Sequence, residues 1–439
     1  MRQTLVSIIL STILSTTTLA LPSAELRDIW DIPLNIVNFE IAKDYLTDDN
    51  IKVEEIYYYS REYQGKPAKI FGYFCYPAGE EHPLPAILVV HGGGGGADRT
   101  STINWARRGY AVLAIDLPGK GLRRDNSQST GPNMSVAALL RTSPHPRYNY
   151  LVHAVAAARS AISLLSQREM VDPDRIGMVG VSWGGVITLL TNGQDTRLKT
   201  AVNVFGAGYI PEGSTWQTRF NTKSPKELDE WNQFIDPKNF LSGQKASILF
   251  VTGTNDHCYY LPIFQKSYGQ VTTQKQIYLV PNLKHLFLAS DQAVVGRWLD
   301  IKLKNEKGQD FPEISILPAQ KTDKKTIIPV TASSSSKIAK ISLYYTEGKP
   351  QGFTKKVWQE VTGHYFEDIY YFALPNNVID HEIMFFATAY DETGAASSTP
   401  VRSLSKSLTI SGPIHEIKWD KEETKMVLRK EEAKQAVYE

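Results

Sequence analysis

Ile176-Gly-Met-Val-Gly-Val-Ser182-Trp-Gly-Gly-Val-Ile-Thr-Leu-Leu190 is the stretch on which the reading of this chain turns. Residues 175–181 are short and apolar, as expected of a strand buried on both faces. Val186 to Leu190 reads as the buried start of a helix. Between them lies Gly180-Val-Ser182-Trp-Gly184, a G-x-S-x-G. So tight a strand-to-helix turn strains the serine backbone and leaves room only for small neighbours, which glycine supplies on both sides. The hydroxyl is then lifted above the sheet edge. The helix N-terminus and the Trp183 N–H face any negative charge that forms beside it.

Other strand ends carry matching features. Ala86-Ile-Leu-Val-Val90 is a buried strand that runs into His91-Gly-Gly-Gly-Gly-Gly96. Five consecutive glycines cost folding entropy. A phosphate loop would need a following Gly-Lys-Ser/Thr, which is missing. The other readings are a loop that passes close under a carbonyl and offers it a backbone N–H, or a plain flexible turn, and the first is preferred. His91 then belongs beneath that loop as a structural residue. Tyr110 to Ile115 is a strand ending in Asp116-Leu-Pro-Gly119, and a polar surface loop follows to Pro132. Residues 148–167 form an Ala-rich helix with Leu151, Val155, Ala158, Ile162 and Leu165 on one face. Strands at 198–205, 247–251 and 276–280 complete a strand–helix alternation that implies a largely parallel sheet.

The strand at 247–251 leads to Thr252-Gly-Thr-Asn-Asp256-His-Cys258, and the strand at 276–280 to Pro281-Asn-Leu-Lys-His285. Groups just past the carboxyl ends of parallel strands share one edge of the sheet, where ligands and catalytic groups collect. The order Ser182, Asp256, His285 supplies a nucleophile, an orienting acid and a base that titrates in the useful range. Among nine histidines, His285 alone combines a post-strand loop with a place downstream of the acid. His257 is the fallback, but it adjoins Asp256 and could hardly reach both partners.

Together the glycine run, Asp116-Leu-Pro-Gly119, Arg175-Ile-Gly177, Gly180-Val-Ser-Trp-Gly-Gly185, Gly253-Thr-Asn-Asp256 and His285 resemble the α/β-hydrolase superfamily. The pattern is similar to its acetyl xylan esterase, dienelactone hydrolase and prolyl-oligopeptidase-like branch over about residues 50–305. That resemblance implies a mostly parallel sheet flanked by helices, with oxyanion donors at the Trp183 N–H and an N–H of the glycine run, Gly93. Dienelactone hydrolases carry a cysteine nucleophile, whereas Ser182 stands here, which favours ester hydrolysis of the serine type. The expected activity is that of a serine esterase acting on an ester substrate such as an acylated carbohydrate. A prolyl-oligopeptidase-like serine peptidase is the alternative. Such peptidases usually carry a large N-terminal propeller, and only residues 21–91 precede Gly92 here. A non-catalytic binding module would show a broken triad, and none is broken.

The 439 residues suggest two or three domains, and 42% hydrophobic content is that of a globular protein. A net charge of +2 without a basic cluster argues against nucleic acid as a partner. Met1-Arg-Gln, an apolar run from Leu5 to Leu14 and a small-residue exit read as a signal peptide over 1–20, too short and too rich in Ser and Thr for a membrane span. The expected location is therefore exported, periplasmic or secreted. Cys75 and Cys258 are expected to be free thiols. With no H-E-x-x-H and no clustered Cys/His spacing, neither a metal nor an organic cofactor is implied. Nothing in the sequence bears on oligomeric state.

The hydrolase unit is expected over 21–308, with an N-terminal arm of no clear period at 25–50 and a lid-like insertion at about 209–245. The insertion's Trp216, Phe220, Trp231 and Phe234 either line a substrate cleft, with Trp216 and Trp231 foremost, or pin the insertion to the body. Residues 293–304 read as the last hydrolase helix. Short strands at 326–332, 338–345, 356–361, 369–373 and 382–390 then suggest an all-β sandwich of fibronectin or immunoglobulin type over 312–412, a spacer packed on the hydrolase. Pro329 marks its strand as an edge strand. Residues 413–439 form a charged tail.

Overall fold

A computed structural model describes residues 28–33, 36–122, 128–304, 309–321, 325–348, 351–375, 378 and 382–404. The signal peptide over 1–20 and the charged tail over 413–439 lie outside the described residues. The first half is one sheet of nine strands: β1 (Phe39–Leu46), β2 (Ile51–Tyr63), β3 (Lys66–Pro77), β4 (Leu84–Val90), β5 (Ala111–Ile115), β6 (Val171–Val181), β7 (Leu198–Val204), β8 (Ser247–Gly253) and β9 (Lys275–Val280). They lie in the order β1-β2-β3-β5-β4-β6-β7-β8-β9. The pairs from β5 to β9 are parallel, and β1, β2 and β3 join antiparallel.

The central strands are mostly apolar and buried because helices cover both faces of the sheet. The crossovers are α1 (Arg99–Ala106), α2 (Tyr150–Ser166), α3 (Trp183–Asn192), α4 (Pro225–Phe234) and α5 (Leu261–Gln270), and α6 (Ala289–Leu303) follows the last strand. A Cβ on Gly177 would meet Leu303 and Leu299 of α6, while one on Gly180 would meet Gly184 and Thr188 of α3. Residues an odd number apart on a strand point to opposite faces, so α3 and α6 flank β6 from two sides. α2 packs so deeply that its buried set wraps nearly all round, wider than the single face expected of it.

The described residues of the 25–50 segment carry structure that its lack of period does not suggest. Ile29, Trp30 and Ile32 are buried, and β1 is an edge strand whose residues are almost all exposed. An edge strand with almost no buried face need not alternate, which hid it. α1 is mostly polar and was equally silent in the pattern.

The insertion at 209–245 is pinned from within. Trp30 Nε1 donates to Phe234 O at 2.8 Å, and Trp30 packs edge-on against Phe240. Ser224 and Glu227 form a capping box at the start of α4. At its far end Asp236 is fully buried and accepts backbone N–H bonds from Tyr209, Ile210 and Lys238 at 2.8, 3.1 and 2.8 Å.

The remaining strands are β10 (Glu313–Ile316), β11 (Gln320–Lys321), β12 (Lys325–Ser333), β13 (Ile338–Glu347), β14 (Gln359–Val361), β15 (Gly363–Phe366), β16 (Ile369–Pro375), β17 (Ile383–Asp391), β18 (Ala396–Ser398) and β19 (Arg402–Leu404). They form two antiparallel sheets, β10-β12-β16-β15 with β11 on β12, and β14-β13-β17-β18 with β19 on β17. Ile328, Val330, Phe372 and Leu374 of one sheet share a core with Leu343, Phe385 and Ala387 of the other. β17 is buried almost throughout because its alternate residues serve two cores. Ile383, Phe385 and Ala387 face the partner sheet, while Met384 and Phe386 join the hydrolase core.

Pro329 does not confine its strand to an edge, since β12 lies between β10 and β16. On an antiparallel strand a residue's N and C=O point to the same side. The Pro329 carbonyl accepts from Leu317 N–H at 2.9 Å, so its missing donor faces the break between β10 and β11.

Replacing Asp236 with alanine orphans buried N–H donors and is expected to cost roughly 2–4 kcal/mol in urea unfolding at pH 5. Burial pushes the Asp236 carboxyl up to about 6, opposed by Lys238 and the backbone donors. The folded chain therefore takes the proton before the unfolded chain does. The stability that Asp236 contributes is fullest in acid and declines as pH rises through about 6. The gap between wild type and Asp236→Ala should narrow from pH 4 to pH 7.

Candidate active site

Ser182 stands at the junction of β6 and α3 with φ 60° and ψ −120°, a conformation L-residues seldom adopt. It is held by a Ser182 N–H bond to Val204 O at 2.8 Å and by Val186 N–H donating to Ser182 O at 3.1 Å. Close packing makes the flanking glycines obligatory. A Cβ on Gly180 would sit 2.0 Å from Gly184 O, and one on Gly184 would sit 2.2 Å from Val90 O.

His285 bridges the other two groups. Its Nε2 lies 2.9 Å from Ser182 Oγ, and its Nδ1 lies 2.9 Å from Asp256 Oδ2. Asp256 is completely buried, and its Oδ1 accepts from the N–H groups of Cys258 and Tyr259 at 2.6 and 3.1 Å. An acid so engaged can only accept, which assigns the His285 proton to Nδ1 and leaves Nε2 to accept from the serine hydroxyl. The His285 ring packs on Phe205, centroids 4.6 Å apart. Asp256, Cys258 and His285 also lie close enough to share an ion, but both imidazole nitrogens already face Asp256 and Ser182. His257 stands edge-on beside the His285 ring at 5.9 Å and does not bridge the pair.

The glycine run lies against the serine. A Cβ on Gly92 would fall 2.9 Å from Ser182 Cβ, and one on Gly93 would fall 3.1 Å from Trp183 Cδ1. The Gly93 carbonyl is taken by Leu122 N–H at 3.0 Å. His91 lies beneath this loop, with Nδ1 2.6 Å from Gly92 O and Nε2 accepting from Leu117 N–H at 3.1 Å. The Trp183 N–H opens α3, where first-turn donors have no partner in the helix.

The two tryptophans of the insertion part company. Trp216 is buried against Trp183 at 4.7 Å and Tyr259 at 5.1 Å, and the Tyr259 ring in turn lies 6.1 Å from that of His285. Trp231 is buried elsewhere: its Nε1 donates to Leu139 O at 3.1 Å and its ring packs on Phe220. It pins the insertion and is not brought to the serine. Sequence reasoning passed over Phe205 and Tyr259, although each closely follows a strand end of the same sheet edge. Trp183 Nε1 and Tyr259 Oη are buried without a hydrogen-bonding partner in this cluster. Cys75 and Cys258 are unbonded to each other, and burial pushes the Cys75 thiol up to about 12.

A parallel sheet that delivers a serine, an acid and a histidine from the ends of β6, β8 and β9 to one edge is the architecture of the α/β-hydrolases, and the chain has that fold. Within it the likeness runs to the acetyl xylan esterases, whose family profile matches residues 22–209. A second profile, that of PhoPQ-activated pathogenicity-related protein, matches residues 194–352. Acetyl xylan esterase from Paenibacillus sp. R4 has 22% identity and a TM-score of 0.54, covering 64% of this chain and 96% of that one. Acetyl Xylan Esterase 1 from Thermoanaerobacterium sp. JW/SL YS485 has 17% identity and a TM-score of 0.53, covering 63% and 93%. The "Putative hydrolase YtaP" of Bacillus subtilis (strain 168) is 31% identical over 147 residues, which are 30% of this chain and 46% of that protein. The match thus spans less than half of that relative.

The packing at the turn gives a direct test. Gly180→Ala should lose about 3 kcal/mol in thermal unfolding, because the new methyl meets backbone that cannot retreat. Gly243→Ala, whose methyl would find nothing nearer than 3.7 Å, should leave the melting temperature unchanged.

Proposed function

We propose that this protein is an exported serine esterase that removes acyl groups, acetyl foremost, from a carbohydrate. The observation that carries the reading is the placement of His285 at 2.9 Å from both Ser182 Oγ and Asp256 Oδ2. In the proposed cycle Ser182 Oγ attacks the ester carbonyl while His285 Nε2 takes its proton. Asp256 holds the imidazole tautomer and stabilises the imidazolium. The Trp183 and Gly93 N–H groups receive the charge on the carbonyl oxygen. His285 returns the proton to the departing alcohol, and water then releases the acid from the acyl-serine by the same steps. The acetyl xylan esterase profile and folds support the choice of substrate class. The unpartnered donors of Trp183 and Tyr259 are the kind of groups that an oxygen-rich sugar ester could satisfy.

On this reading residues 21–308 are the hydrolase unit and 312–412 a sandwich of fibronectin or immunoglobulin kind. Export rests on the apolar run from Leu5 to Leu14, and no helix among the described residues is long and apolar enough to cross a membrane. The mature chain is expected to begin at Leu21, which N-terminal sequencing of the exported protein checks.

Hydrolysis of p-nitrophenyl acetate, longer esters, acetylated xylan and a proline-containing peptide amide tests the activity. Ser182→Ala should lower kcat/KM for the acetyl substrates by roughly 10⁴-fold or more. Asp256→Asn should cost about 10⁴-fold, because it presents the wrong hydrogen-bonding partner to the imidazole. Peptide cleavage outrunning ester cleavage would replace the esterase by the peptidase.

A further inference from the structure

The acid loop and the histidine loop are tied to each other. Thr254 N–H donates to Val280 O at 3.0 Å, Asn255 N–H donates to Leu283 O at 3.0 Å, and Asn282 N–H donates to Thr254 Oγ1 at 2.8 Å. They are also tied to a segment of the β part 76 to 101 residues away in sequence. The Asn282 side chain pairs with residue 358 as a neighbouring strand would: its Nδ2 donates to Trp358 O at 2.9 Å, and Trp358 N–H donates to its Oδ1 at 2.7 Å. Asn255, immediately before the acid, donates from Nδ2 to Lys356 O at 2.6 Å, and its Oδ1 accepts from Thr254 Oγ1 at 2.7 Å. Asn282 has φ 59°, a left-handed conformation that asparagine tolerates better than most residues.

The segment that receives these bonds is itself fixed. Phe353 and Trp358, near its two ends, are buried in the hydrolase core, and Trp358 packs edge-on against Phe386 of β17 at 5.2 Å. The β13–β17 sheet therefore behaves as a rigid wall against which both loops are braced.

We propose that residues 353–358 position the catalytic loops, with Asn255 and Asn282 as the positioning residues through which they set the spacing of Asp256 and His285. The inference rests on the triad reading above and extends it to the second unit. Neither asparagine touches the reacting atoms. They act by holding two loops within the few tenths of an ångström that a Ser–His–Asp relay tolerates.

The test uses the full-length chain with Asn282→Gly, Asn282→Asp and Asn255→Ala. Asn282→Gly keeps the left-handed backbone accessible and removes the side-chain bonds, at the cost of a freer backbone there. Asn282→Asp keeps the acceptor for Trp358 N–H but sets an oxygen against Trp358 O. Two rates are read well below the melting temperature of each variant: steady-state acetyl ester hydrolysis, and phosphonylation of Ser182 by a fluorophosphonate. In the labelling step a serine O–P bond forms, fluoride leaves with the P–F pair, and His285 accepts the hydroxyl proton. The expected result for Asn282→Gly and Asn255→Ala is a fall of roughly 10- to 100-fold in kcat and in labelling rate, with KM held within about twofold. Asn282→Asp should recover part of the loss. The double variant should lose less than the product of the single losses, since the residues brace one pair of loops.

Variants that melt earlier yet keep kcat and labelling within about twofold of wild type would overturn the proposal and leave the asparagines a purely structural role. The labelling rate separates this outcome from failure of the esterase reading. If wild type is labelled at Ser182 but cleaves no acetyl ester, the substrate is wrong and the labelling rates alone decide the positioning role. If wild type is not labelled at Ser182, the triad reading falls and this inference with it.

Discussion

Everything at the site follows from one close approach of backbone to backbone beneath Ser182. α3 begins so near β4 and β6 that no side chain fits at residues 180 or 184, where an added Cβ would lie 2.0 Å from Gly184 O and 2.2 Å from Val90 O respectively. That contact forces the turn and lifts φ at Ser182 to 60°. The strain, of order 1–3 kcal/mol, is sustained because the structure around it is over-determined. The sheet is buried on both faces, and Ser182 is hydrogen-bonded to β7 and α3 at once. The same tightness brings the glycine run to the serine, because β4, which ends in that run, is the immediate neighbour of β6.

The electrostatic part of the site is built to keep one carboxylate from wandering. Asp256 is wholly buried, a condition that would raise its cost severely without donors. It has three within 3.1 Å: two backbone N–H groups on Oδ1 and the imidazole N–H on Oδ2. The backbone donors come from residues 258 and 259, so the loop that carries the acid also orients it. Asp236 is the contrasting case. It meets three backbone donors and no imidazole, and it serves to seal the insertion and not to hold a base.

Much of this was legible in the sequence, for reasons that differ by residue. Ser182, Asp256 and His285 each follow an apolar run at a strand end, and parallel topology sends all such ends to one edge. β1 left no trace because an exposed edge strand has no buried face to impose a period, and α1 left none because few of its residues are buried. Trp231 and Trp216 look alike in the chain. Only the fold separates the one that donates to Leu139 O from the one that packs beside Trp183. Pro329 misled in the opposite direction: the rule against proline in central strands assumes an unbroken neighbour, and here the neighbour is broken between β10 and β11. Asn255 and Asn282 were invisible because their partners, Lys356 and Trp358, lie in the other unit.

The position of the acid and histidine in the sheet explains why a second unit matters at all. β8 and β9 are the last two strands in the sheet order, so the loop after β9 has the acid loop on one side and no further strand on the other. The serine turn, by contrast, lies at the centre with strands on both sides. An edge loop that must place an imidazole to within hydrogen-bonding tolerance needs a wall where the sheet stops. The β part stands at that edge: Leu279 N–H donates to Ser398 Oγ at 3.0 Å, Tyr278 packs edge-on against Tyr390, and Asn282 pairs with Trp358. The apolar run of β17, buried on one face by its partner sheet and on the other by the hydrolase, is the sequence record of that docking. A unit packed on the hydrolase needs that second apolar face, and β17 supplies it.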